Sequence, residues 1–236
     1  MNTAAIADGL TAALELDITP VALARRAGAP AGVPAFEGAV PSTCTFWRRA
    51  EAGVFYATAP QHFGCPLGAM VMGFDLTPEV NDELKQLVGF MVNAKYIEAD
   101  EPARIPHLDR PAAGVVYGPL RRFPIDPEFI LVWLTAAQAM LLSEATGSAH
   151  WTVSEPAGAL GRPACAAIPL AGGRGATTLS LGCTGMRTYT EIADDRVLAV
   201  IPAQEAATLV AALTRLAETN RGVAAFHRER KASVLT

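Results

Sequence analysis

Apolar positions alternate along this chain between helical and strand-like spacing. Residues 3 to 16 place Ile6, Leu10, Ala13, Leu14 and Leu16 at helical intervals, which predicts a first amphipathic helix. DITPVAL, from Asp17 to Leu23, then reads as a short strand, and Pro20 places it at a sheet edge or makes its start irregular. Gly28, Pro30, Gly32, Pro34, Gly38 and Pro41 mark the next stretch as loop, a candidate lid. A short helix follows, running to Ala50 or Glu51, with Ser42 or Thr43 as its cap and Cys44 in its first turn. Val54 to Thr58 is a strand-like run ending in a turn at Gly64-Cys65, and Gly68 to Phe74 is a compact helix or turn. Thr77-Pro78 opens a helix whose apolar face runs from Val80 to Val92, and Val115 to Tyr117 is a strand.

The same kinds of element recur in the second half. Phe129 to Trp133 predicts a buried strand and Ala136 to Ala145 a helix, followed by a Gly/Ser/Pro-containing connection to Cys165. Cys165 to Pro169 is strand-like, Gly172-Gly173-Arg174-Gly175 a tight turn, and Thr177 to Leu181 a strand running into Gly182-Cys183. Arg196 to Ile201 is a strand, Pro202 to Asn220 an amphipathic helix, and Gly222 to Thr236 a solvated end. The landmarks of the halves correspond in order: the strand near Val21 with that near Phe129, Cys44 with Cys165, Gly64-Cys65 with Gly182-Cys183. The expected architecture is therefore α/β, or α+β, built as two similar, tightly packed halves related by a pseudo-two-fold. The first half covers 1–122 and the second 123–236.

Composition narrows the class. Apolar residues make up 51% of the 236 and charged residues 18%, which supplies a sizeable core and argues against a disordered chain. The net charge of −4 and the lack of basic-aromatic clusters argue against a nucleic-acid partner. Mean hydropathy is +0.26, yet the best membrane candidate, Phe129 to Thr146, includes Gln138 and Glu144. No membrane partner is expected. Acidic Asp8, Glu15 and Asp17 are unlike a signal peptide, so a cytoplasmic protein is expected. The abundance of alanine, and of arginine over lysine, suggests a GC-rich bacterial source.

In such a compartment the four cysteines, Cys44, Cys65, Cys165 and Cys183, are expected as free, liganded or catalytic thiols rather than disulfides. A cysteine at a strand-to-helix turn lies near unpaired backbone N–H groups that favour its thiolate. Three chemistries remain open. The leading one is an iron-sulfur cluster or other thiolate-bound metal on Cys44, Cys65 and Cys183, with Cys165 as a further ligand, in a cleft between the halves. Gly64, Gly182 and Gly185 would shape its cradle, with Arg48 and His62 beside it. Another is a binding or regulatory protein for an anionic small molecule, in which the cysteines only pack. The third is a metal-free thiol enzyme with Cys65 or Cys183 as nucleophile and Arg187, His62 or Arg48 as charge partner. A small-molecule ligand or substrate fits all three, a homodimer is compatible with each, and the residues leave open whether the protein is an enzyme. The methionines, among them Met91 and Met186, read as core filler.

TPVAL, FGCPLGAMVMGF, VVYGPL, the QAM at Gln138 to Met140 and LGCTGMRTYTE occur in this order, and with them the chain resembles the bacterial and archaeal family called domain of unknown function 169. The resemblance spans residues 16 to 230. It implies no particular activity. The chain departs from the family pattern at TPVALARR, where a lysine is expected soon after the strand.

Overall fold

The strand-like runs come together in one mixed α/β sheet. The computed structural model describes residues 1–109, 112–147, 150–151 and 163–235. The strands are β1 (Val21–Arg26), β2 (Phe55–Thr58), β3 (Gly114–Pro119), β4 (Phe129–Leu134), β5 (His150–Trp151), β6 (Thr178–Ser180) and β7 (Val197–Pro202). Their order across the sheet is β2-β3-β1-β4-β7-β6-β5. All neighbours are antiparallel except β5, which runs parallel to β6. The first three strands thus occupy one side of the sheet and the last four the other. They meet where β1 pairs β4, with Val21, Ala22 and Leu23 opposite Leu131, Ile130 and Phe129.

Helices cover both faces, so β4 and β7 are apolar at every position. In β4, Phe129, Leu131 and Trp133 enter one core while Ile130, Val132 and Leu134 enter the other, as the alternation of side chains along a strand requires. The second core is closed by α1 (Thr3–Leu14), α5 (Ala136–Thr146) and the start of α8 (Ala206–Leu235), through Ile6, Leu10, Leu142, Leu209 and Leu213. The first core is covered by α2 (Thr45–Arg49), α3 (Pro66–Val71), α6 (Ala167–Arg174) and α7 (Thr184–Thr190). α4 (Pro78–Asn93) lies on this side too, packed against α3. Among the described residues no helix is long and apolar enough to cross a membrane.

Several elements differ from expectation. Pro20 precedes β1, which is a central strand and not an edge, because both its neighbours bond to it beyond the proline. The loop expected as a lid is tied down: Phe36 N–H donates to Tyr56 O, Tyr56 N–H to Pro34 O, and the Phe36 ring packs on Phe46 and Phe55. Residues 164 to 174 are helical rather than strand and turn. Alanines favour the helix there, and Pro169 sits in the first turn of α6, where its missing N–H leaves no bond unmade. Gly175 closes that helix in the left-handed region at φ 63°. The tail past Gly222 continues α8 to Leu235 as an exposed helix. The connection expected before Cys165 lies largely outside the described residues.

Leu131 is almost wholly buried where β1, β4 and β7 meet. Leu131→Ala is expected to lower unfolding free energy by about 2–5 kcal/mol in denaturant titration. Val234→Ala, on the exposed end of α8, is expected to change it by less than about 0.5 kcal/mol.

Candidate functional site

All four cysteines line one cavity of about 810 Å³ on the first-core side of the sheet. Each reaches it from a chain turn that leads into a helix. Cys44 is the N-cap of α2, Cys65 of α3 and Cys183 of α7, while Cys165 lies in the short 3₁₀ turn Ala164–Ala166 before α6. Residues on either side of position 122 contribute equally to this wall, Cys44 and Cys65 from one, Cys165 and Cys183 from the other.

Local chemistry places each sulfur. Gly68 N–H donates to Cys65 Sγ at 3.3 Å, and Met186 N–H to Cys183 Sγ at 3.4 Å, so the sulfurs act as caps. Ser42 Oγ lies 2.7 Å from Cys44 Sγ and accepts from Cys44 N–H at 3.3 Å. The glycines are structural requirements of these turns. Gly182 has φ 87°, and a side chain there would meet Met186; a Cβ on Gly64 would strike the Val40 carbonyl. Gly64 and Gly185 line the cavity, with Gly182 just behind Cys183.

Burial dominates the thiols' acidity. It pushes Cys44 up to about 12, against the Ser42 hydrogen bond, and neighbouring Cys65 and Cys183 raise it further. Cys165, buried and near the other three, is raised well above the usual thiol value. Burial also raises Cys65, although hydrogen bonds from the Gly68 and Thr43 backbone and from Ser42 pull the other way. All four are free thiols. Among the described residues no group of three His, Cys, Asp or Glu side chains is gathered tightly enough to hold a metal ion as it stands.

The family comparison agrees with the landmarks of the turns: the match to domain of unknown function 169, described as an uncharacterised ArCR family, extends over residues 9–212. The chain belongs to this family. No curated protein and no solved structure matches it significantly. In this member of domain of unknown function 169 the other candidate residues lie away from the cavity wall. His62 is buried between Phe46 and Phe74. Its Nδ1 bonds Thr58 O at 2.8 Å and its Nε2 the Tyr117 hydroxyl at 3.0 Å, so neither nitrogen is left for a metal or a thiol. Arg48 pairs with Glu51 at 2.5 Å. Arg187 turns its guanidinium onto the carbonyls of Leu181 and Arg196, at 2.6 and 3.0 Å, bracing the Gly182-Cys183 turn from outside the cavity.

Two features escape a reading by motif. Ser42 and Thr43 read as helix caps, yet Ser42 bonds a sulfur and the buried Thr43 lines the cavity with its Oγ1 unpartnered. Met91, read as core filler, is on the cavity wall contributed by α4. The short Ser-Thr-Cys run was the available signal for the former; nothing in the amphipathic pattern of α4 distinguishes a cavity wall from a core face.

Burial lowers the His62 pKa from 6.5 to about 4. As pH falls, the unfolded chain therefore binds this proton first. The stability due to neutral His62 is complete above pH 6.5 and is lost between 6.5 and about 4, by up to about 3 kcal/mol. His62→Gln is expected to lower the neutral-pH Tm and flatten this part of the Tm-against-pH curve; an unchanged slope places the titrating group elsewhere. Gly182→Ala is expected to cost about 1–3 kcal/mol in unfolding free energy, since it forces a Cβ into a left-handed position.

Proposed function

We propose that the protein holds an iron-sulfur cluster, or another thiolate-bound metal, on Cys44, Cys65, Cys165 and Cys183. The observation that carries this reading is that every cysteine in the chain lines the same cavity, although they lie in four separate turns. Soft thiolate donors suit iron-sulfur chemistry and zinc, and N–H donors on Cys65 and Cys183 are the kind of hydrogen bond that tunes a cluster. A cation among the sulfurs also offsets the burial that otherwise keeps Cys44, Cys65 and Cys165 protonated.

That same burial weighs against a metal-free thiol enzyme. Cys65 is shifted away from its thiolate, and among the described residues no imidazole lines the cavity to take its proton. An anionic ligand loses support as well, because Arg48 and Arg187 are committed elsewhere.

In the proposed reading, residues 1–122 and 123–236 are two equivalent units. Support comes from the strand order outward from the centre, β1, β3, β2 on one side and β4, β7, β6 on the other, with a Gly-Cys turn following β2 and β6 in turn. The protein acts in the cytoplasm on a small-molecule ligand or substrate. A homodimer is compatible with the exposed Val223, Phe226 and Val234 of α8.

Anaerobically purified protein is expected to be coloured and to contain iron with acid-labile sulfide, or else stoichiometric zinc. Cys44→Ser and Cys183→Ser are each expected to lose most of the metal while keeping the wild-type far-UV circular dichroism. Colourless, metal-free protein with four titratable thiols, after reconstitution with iron and sulfide has been attempted, rules the reading out.

A further inference from the structure

α4 stands apart from the other long helices. Of its sixteen residues only Val80 is buried. Its apolar side chains Leu87, Phe90 and Met91 line the cavity instead of packing into a core, and Phe90 remains 70% exposed. The same cavity is lined by Leu67, Met186 and Tyr189, from the helices that follow Cys65 and Cys183. Thr43 adds a buried hydroxyl without a partner. A volume of about 810 Å³ is that of an organic ligand site and leaves ample room beside any cluster on the cysteines.

We propose that the space between the cysteine turns and α4 binds an apolar organic small molecule carrying a single hydrogen-bonding group. Leu87, Phe90 and Met91 cover its body and Thr43 Oγ1 meets the polar group. The charges among the described lining residues, Glu83, Lys95 and Glu101, all lie on α4 and the segment after it. With no arginine among the described lining residues, that part of the wall lacks the bidentate grip that a phosphate-rich ligand calls for. The hollow is lined by the cysteine turns, α3, α4 and the segment after α4, and its volume is that of a small-molecule site. Occupancy removes the apolar face of α4 from water and firms a helix that is otherwise held mainly by α3. The inference concerns the cavity itself and stands whatever the cysteines hold.

The test titrates the full chain with Nile red, an uncharged apolar dye, with hydrogen exchange followed in parallel. Saturable one-to-one binding and slowed exchange over residues 78–93 are expected. Met91→Asp and Leu87→Asp should each weaken binding about tenfold or more, because an unpaired carboxylate against an apolar ligand costs at least that factor. Phe226→Asp, on the far part of α8, should leave binding unchanged. Non-saturable uptake, binding indifferent to both α4 variants, or protection confined to α8 overturns the proposal. So does concentration-dependent protection of α4 without dye accompanied by a doubled mass, which assigns the face to a second copy of the chain. Failure here and failure of the cluster reading are separable. Metal-free protein with Met91-dependent dye binding keeps the chamber and removes the cluster, whereas metal-bearing protein that takes up no dye does the reverse.

Discussion

The antiparallel pairing of β1 with β4 is the contact on which the rest depends. Through Val21, Ala22 and Leu23 against Leu131, Ile130 and Phe129 it joins strands from the first and second halves of the sequence into one sheet. Because helices cover both faces, each residue of β4 is buried and neither face can slip without moving its whole set of side chains into the wrong core. A one-residue error in this register would turn Leu131 and Trp133 away from the side on which the cysteines meet. The cavity is therefore a product of strand register as much as of its own walls.

Given that frame, the thiols are governed by desolvation. Burial discourages ionisation of Cys44, Cys65 and Cys165, and the local hydrogen bonds from Ser42 and Gly68 offset only part of that cost at Cys44 and Cys65. Under the proposed reading, the positive charge of a metal would take the protons' place on the sulfurs. His62 shows the opposite outcome of burial. Kept neutral by burial in an aromatic cluster and oriented by Thr58 and Tyr117, it supports the fold beneath the site. Arg187 does comparable work, gathering carbonyls that would otherwise be left open around the Gly182-Cys183 turn.

The helices divide by what they cover. α1, α5 and α8 close one core with conventional apolar faces, and α2, α3, α6 and α7 are short pieces that present cysteine-bearing turns. α4 belongs to neither group. Its apolar side chains Leu87, Phe90 and Met91 line a hollow rather than a core, and of its residues only Val80 is buried.

Much of this was legible in the chain itself. Periodicity located α1, α4, α5, β3, β4 and β7, because their apolar positions are regular and local. The mixed α/β class followed from them, as did the family, from the wording of FGCPLGAMVMGF and LGCTGMRTYTE. The strand read over 165–169 failed because a short apolar run of alanines carries no decisive period, and only its place against the sheet makes it helical. Pro20 left open an edge position or an irregular start, and the first is excluded only by the neighbours of β1, residues 114–119 and 129–131, far along the chain. Sequence by itself determined that Gly64-Cys65 and Gly182-Cys183 are tight turns, since that depends on adjacent residues. That these turns share one cavity with Cys44 and Cys165, that His62 and Arg187 face away from it, and that α4 forms its other wall were decided by tertiary structure, because long-range strand pairing sets which distant turns meet.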